Sequence, residues 1–164
     1  MKKLLMAAVA VSGLAATPAF ASTDAVYTFT GTVGATCSAT AAVTTNSALD
    51  TNGSLTTTQI NAAPDTAAFC NGAGTTVEVS HTALTNTTVA AALVATPPAG
   101  LTGTITFTPE VTAGTTVLND TAAGTALGAF TGLTVKAKSL SAGGLKLLAG
   151  DYSGTITVKL TPVT

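Results

Sequence analysis

The chain has 164 residues, with six basic and seven acidic residues and a net charge of −1 at pH 7. All six basic residues are lysines. A chain without arginine lacks the strongly basic surface that nucleic acid or an anionic membrane requires, so we expect neither partner. Threonine is abundant, and β-branched side chains fit pleated sheets better than helices. The composition therefore predicts an all-β domain.

The first predicted element is a secretory signal peptide at residues 1–21. Lys2 and Lys3 precede an apolar run that begins at Leu4, and an Ala-x-Ala site ends at Ala21. The apolar run is roughly 13 residues long, shorter than a bilayer requires, so we expect no membrane span after signal cleavage. The remaining residues 22–164 have the size of one domain.

A strand is predicted next, from Val26 to the first cysteine. Successive side chains of a strand point to opposite faces, and here the threonines share one face while the other face is mostly apolar. That second face carries Tyr27, Phe29, Gly31, Val33 and Ala35.

The two cysteines, Cys37 and Cys70, are predicted to form a disulfide. A secreted chain meets an oxidising environment, where a pair of cysteines is usually joined. Closing the loop of roughly 30 residues between the two cysteines would stabilise the fold by about 3–4 kcal/mol on the chain-entropy model.

Alternating apolar and polar residues predict further antiparallel strands downstream, whereas residues 41–65 show no clear pattern. Turn signals such as Asn52-Gly53, Asn119-Asp120 and Gly143-Gly144 separate the strands, which favours a β-sandwich. The apolar faces of these strands contain Val77 and Val79; Ile105 and Phe107; Leu133, Val135 and Ala137; and, in the last strand, Tyr152, Ile156, Val158 and Leu160.

No catalytic or metal-binding cluster is evident in the sequence. His81 is the single histidine, and Ser80 beside it should point to the opposite face of its strand. Asp50 begins a segment that resembles the start of a calcium loop, but the later ligands are missing and an Asx turn is the simpler interpretation. We therefore expect no enzymatic activity, no metal and no cofactor.

Three segments resemble the chaperone–usher pilin superfamily, including its archaic branch related to spore coat protein U. They are FTGTVGATC at residues 29–37, TTVEVSHTAL at residues 75–84 after Cys70, and LAGDYSGTITVKLTP at residues 148–162. Together they cover roughly a quarter of the chain.

The resemblance implies an immunoglobulin-like sandwich that lacks its last strand and is completed by donor-strand exchange with a neighbouring subunit. Residues 22–36 would be the donor strand and residues 37–164 the pilin domain. The resemblance also implies a periplasmic chaperone, an outer-membrane usher, polymerisation with identical or related subunits, and a location in a fimbrium at the cell surface. The inserted residues would be Tyr27, Phe29, Gly31, Val33 and Ala35. The acceptor groove would lie along Tyr152, Ile156, Val158 and Leu160.

An independent expectation comes from the two terminal strands. The first strand has no earlier partner in the mature chain, and the last strand ends the sequence, so an edge is expected to need a partner. Whether the first strand pairs within its own chain or with a neighbour stays open at this stage. The alternative is a secreted, self-contained β-sandwich that acts as a binding protein or adhesin.

Overall fold

Antiparallel strands dominate the structure, a computed structural model that describes residues 30–40, 45 and 47–163. The predicted signal peptide at residues 1–21 lies outside the described residues, as do Tyr27 and Phe29. The described residues from Val33 onward form one compact unit. Across the described ranges, helices with the length and apolar character of a membrane span are absent.

The described residues contain long strands, several short ones and a helix of one turn. In chain order they are β1 (Cys37–Ser38), β2 (Asp50–Thr51), β3 (Ser54–Leu55), β4 (Gln59–Asn61), β5 (Asp65–Cys70), β6 (Thr75–Asn86), α1 (Ala91–Ala95), β7 (Leu101–Thr102), β8 (Thr104–Ala113), β9 (Thr116–Leu118), β10 (Thr121–Leu127), β11 (Phe130–Ser141), β12 (Lys146–Leu147) and β13 (Tyr152–Thr161).

Buried and solvent-facing side chains alternate along β6 and β8, and the buried ones form much of the core. Val77 and Val79 of β6 are completely buried, and Ser80, the next residue along, is exposed. In β8, Ile105 and Phe107 are buried while the residue between them is exposed. One face of each strand therefore enters the core and the other meets solvent. The prediction of an all-β fold built from half-buried antiparallel strands is confirmed.

Strand pairing divides the main sheet into two halves. In one half, β11 is central and pairs with β8 along one edge and with β4 and β5 along the other. At the two sides of this half, β1 pairs with β5 and β9 pairs with β8. In the other half, β6 pairs with β13 along one edge and with β10 along the other. The pairs Leu84–Ile105 and Thr85–Thr104 join the halves through β6 and β8. The sheet curls across this junction and encloses the core.

The core consists of two clusters of buried side chains. The first contains Val77, Val79 and Val111 with side chains from β5, β9 and β11. The second contains Ile105 and Phe107 with side chains from β11 and β12. Each fully buried aliphatic side chain of this size stabilises the fold by about 1.5–3 kcal/mol. Ile156 of β13 packs against both clusters and so connects them.

The predicted turns lie between strands. Asn52 and Gly53 connect β2 to β3 with φ of 53° and 75°, and a two-residue hairpin with positive φ at both positions favours this dipeptide. The Asp50 carboxylate accepts a hydrogen bond of 2.6 Å from the Gly53 N–H, which agrees with the Asx-turn interpretation. Asn119-Asp120 connects β9 to β10, and Gly143-Gly144 connects β11 to β12.

Gly154 of β13 lies where the backbones of two strands approach closely. The pairing with β6 is irregular between Ser153 and Thr155, and a Cβ on Gly154 would be 2.8 Å from the carbonyl oxygens of Thr82 and Ala83. We expect Gly154→Ala to lower the free energy of unfolding by about 1–3 kcal/mol, because the two backbones would have to separate. Urea denaturation measures this loss.

Gly128→Ala is the matched control for that substitution. Nothing lies within 4 Å of a Cβ built on Gly128, so its stability should change by less than about 0.5 kcal/mol. Equal unfolding midpoints for the two variants would contradict the close approach at Gly154.

Candidate functional site

The inward face of β13 is only half-buried. Tyr152, Ile156, Val158 and Leu160 point to this face, and the intervening residues on the other face are exposed. The three aliphatic side chains pack against the first core cluster, and Tyr152 packs against the second. By contrast, inward residues of β6 such as Val77 and Val79 are completely buried.

This difference in burial follows from the position of β13 in the sheet. β13 pairs with β6 over almost its whole length, from Tyr152 opposite Asn86 to Thr161 opposite Thr76. Among the residues that the structure describes, no strand pairs with its second edge. That edge therefore presents a row of backbone donors and acceptors beside side chains that are incompletely covered.

A cleft of about 160 Å³ opens beside β13 and reaches core side chains. Gly154 and Ile156 line it from β13, Phe107 lines it from β8, and Ile60 of β4 lines it from the opposite half of the sheet. The cleft thus lies between the edge of β13 and the facing half of the sheet. Most of the side chains that line the cleft are apolar, and Thr45 and Thr155 add polar groups to its wall.

A second, larger cavity of about 560 Å³ adjoins the cleft near the start of β13. The two cavities share Ile60 and Leu84 in their walls. Tyr152 lines the larger cavity, and its hydroxyl donates to the carbonyl oxygens of Leu148 at 2.9 Å and Thr102 at 3.2 Å, two alternative acceptors for one proton. The hydroxyl therefore holds the chain that leads into β13.

The segment predicted as a donor strand is only partly described. Residues 30–36 lie in no strand. Gly31 is exposed, Val33 is 85% exposed, and Ala35 is half-buried. The side chain of Val33 therefore does not fill the cleft of its own chain. Tyr27 and Phe29, the largest predicted donor side chains, lie outside the described residues, and the role of the whole set stays a prediction.

The predicted disulfide is confirmed. The sulfur atoms of Cys37 and Cys70 are 2.08 Å apart and join β1 to β5, where the two residues are direct cross-strand partners. Cys70 is 2% exposed and belongs to the first core cluster. The bond therefore fixes the start of the domain immediately after the predicted donor segment.

Two asparagines have structural roles that sequence reasoning missed. The buried amide of Asn86 donates to the carbonyl oxygens of Leu148 and Ala149 and accepts from the N–H groups of Thr88 and Val89, so it anchors the chain that precedes β13. Asn71 binds the backbone of residues 34–36. The dipeptide Asn71-Gly72 indicates a turn, but turn chemistry alone does not reveal distant partners.

His81 and Ser80 point to opposite faces of β6, as strand alternation requires. The His81 ring packs against Phe107 with centroids 5.0 Å apart, and its Nδ1 lies 3.3 Å from an Asp120 carboxylate oxygen. Ser80 is exposed. Within the described ranges, no three His, Cys, Asp or Glu side chains converge as a metal-ligand set.

Two carboxylates are held in their charged form by local hydrogen bonds. The hydrogen bond from the Lys138 ammonium, 2.8 Å away, lowers the pKa of Glu110. Bonds from Thr40, and then from the N–H groups of Ala67 and Ala68, lower the pKa of Asp65. The bond to Thr40 ties the chain after β1 to the start of β5.

No protein-family model matches the chain, and no curated protein and no solved structure matches it.

Proposed function

We propose that this chain is a structural, non-enzymatic subunit of a surface pilus, assembled by donor-strand exchange. The observation that carries the proposal is that, among the described residues, no strand pairs with the second edge of β13, which lies beside a cleft into the core. A strand added at this edge would pair with the exposed backbone groups and cover the half-buried face of β13. In this proposal the fold is an immunoglobulin-like sandwich, completed by a strand from a neighbouring subunit.

The predicted donor segment has the chemistry that the cleft requires. Its apolar residues alternate mainly with threonines, so one face of an inserted strand would be mostly apolar. Burying Phe29, Val33 and part of Tyr27, together with the part of Ala35 that its own domain leaves exposed, would contribute about 5 kcal/mol or more at roughly 25 cal/mol per Å². A shift of one residue would present threonines to the cleft, so the pattern also specifies the register.

The exposure of Val33 supports donation to a neighbour. A β-branched side chain that is 85% exposed contributes little to the stability of its own domain. Inserted into the groove of a second subunit, the same side chain would be buried. The proposal assigns residues 22–36 to the donor and residues 37–164 to the acceptor domain.

The proposed partners follow from this assembly. Before polymerisation, the edge of β13 needs a temporary cover, which a periplasmic chaperone supplies in this proposal, and an outer-membrane usher then exchanges the chaperone for the next subunit. The proposed location is a fimbrium on the cell surface, reached through the periplasm after signal cleavage. Identical or related pilin subunits are the permanent partners.

Electrophoresis of the assembled protein tests the proposal. Unboiled samples in detergent should run as a ladder of multimers that collapses to monomer on boiling, because each junction buries a complete strand. A variant that lacks residues 22–35 should give no ladder and should still bind the chaperone.

A full-length protein that runs as monomer before boiling would contradict the pilus proposal. If the truncated variant then unfolds or behaves like the full-length chain, the self-contained binding protein or adhesin becomes the better explanation.

A further inference from the structure

Asn71 lies where the predicted donor segment leaves the domain, and its side chain binds that segment. The Thr36 N–H donates to Asn71 Oδ1 at 2.6 Å, and Asn71 Nδ2 donates to the carbonyl oxygen of Gly34 at 3.1 Å. The backbone N–H of Asn71 also donates to the Thr36 carbonyl oxygen at 3.1 Å. One residue therefore makes three hydrogen bonds to the chain immediately before the disulfide.

These hydrogen bonds continue the pairing of β1 with β5, and the Asn71 side chain replaces one backbone group. β1 pairs with β5 through Cys37 opposite Cys70, so the next pair in an antiparallel ladder would be Thr36 opposite Asn71. The bond from Asn71 to Thr36 continues that ladder, but the return bond from the Thr36 N–H goes to the Asn71 side chain. The amide then reaches the Gly34 carbonyl, which lies beyond the end of β1. Asparagine supplies both an acceptor and a donor at this length.

Close packing at Gly72, next to Asn71, also restricts the path of the chain before β1. A Cβ on Gly72 would be 2.8 Å from the Val163 carbonyl oxygen and 3.4 Å from the Ala35 Cβ. The chain before β1 and the chain after β13 therefore meet at this turn. On the other side of Asn71, the Cys37–Cys70 disulfide fixes the start of the domain. A single residue, Thr36, separates Ala35, the last residue predicted to insert into a neighbour, from Cys37.

We propose that Asn71 is a positioning residue that sets the direction in which the donor segment leaves the domain, and so the angle and stiffness of the junction between successive subunits. This inference rests on the proposed pilus function. The junction between two subunits is the short chain from the inserted strand to Cys37. Within it, Asn71 binds both the N–H group and the carbonyl oxygen of Thr36. The fibre should therefore be stiffer than a flexible linker would allow.

The test compares fibres of the wild type, Asn71→Ala, Asn71→Asp and the control Asn119→Ala. Asn119 is an exposed asparagine in the turn between β9 and β10. All four proteins should form detergent-resistant multimers, because Asn71 does not contact the cleft. Electron microscopy should show a shorter persistence length for Asn71→Ala fibres and an unchanged one for the control.

Amide hydrogen exchange resolved at Thr36 provides a second measurement, on subunits as well as fibres. In Asn71→Ala the Thr36 N–H loses its acceptor and should exchange about fivefold faster or more. Asn71→Asp keeps the acceptor but loses the donor to Gly34, so Thr36 should stay protected while the fibre still bends more easily. If Asn71→Ala fails to fold, the Asp variant carries the test.

Unchanged stiffness and unchanged Thr36 exchange in Asn71→Ala would overturn the inference while leaving the pilus proposal intact. The same is true if a folded Asn71→Ala protein forms no multimers, because the residue would then act on strand exchange itself. A wild type without multimers would instead refute the pilus function, and the proposed role of Asn71 at a subunit junction would fail with it.

Discussion

Replacing Ile156 with lysine should abolish the detergent-resistant multimers while leaving the domain folded. Ile156 is half-buried, packs against both core clusters and lines the cleft. In the uncovered domain, a lysine side chain can extend along the cleft and keep its ammonium in water. An inserted strand would remove that water and bury an unpaired charge, which costs several kcal/mol.

Thr157→Lys is the matched control for this substitution. Thr157 is the next residue of the same strand, and its side chain is exposed on the opposite face. The control should form the same ladder as the wild type on unboiled gels. Circular dichroism should show that both lysine variants are folded. A folded Ile156→Lys protein with a wild-type ladder would show that no strand covers this position.

Replacing Cys37 and Cys70 together with serine should lower the free energy of unfolding by about 2–5 kcal/mol. The bond closes a loop between residues that are 33 apart in sequence, and the cross-link limits the unfolded chain. Cys70 is also almost completely buried in the first core cluster, so a serine hydroxyl there would need a hydrogen-bond partner.

Urea denaturation of the double variant and of the wild type, with and without a reducing agent, measures this effect. Reduction of the wild type should give most of the loss, and the double variant should not respond to the reducing agent. If the reduced and oxidised wild type unfold at the same urea concentration, the disulfide contributes no net stability and the prediction fails.

The proposed exchange mechanism and the role of Asn71 concern different parts of the molecule. In the proposed mechanism, a strand is accepted at the cleft and at the edge of β13 that no described strand covers. Asn71 and the disulfide act where the chain leaves the domain. Substitutions at Ile156 and Asn71 should therefore have separable effects, the first on the existence of multimers and the second on the shape of the fibre.

Local sequence patterns were sufficient to predict the long strands. Alternation identified β6, β8, β11 and β13 because a strand with one buried face must repeat every second residue. Residues 41–65 gave no clear prediction. Before β5 begins at Asp65, the described residues form only short strands, in which single apolar residues such as Leu55 and Ile60 are half-buried. A strand of two or three residues is too short to show a period.

The sequence by itself determined the all-β class, the inward faces of β6, β8, β11 and β13, the turns and the pairing of the two cysteines. These depend on neighbouring residues or, for the disulfide, on there being two cysteines. Only the tertiary structure decided which edge of β13 has no partner among the described strands, that Ile60 of β4 and Ile156 of β13 line one cleft, and that Asn71 binds the backbone of residues 34–36. These features depend on the order of strands in the curled sheet, which brings together residues far apart in the chain. Alternation along one strand carries no information about its neighbours.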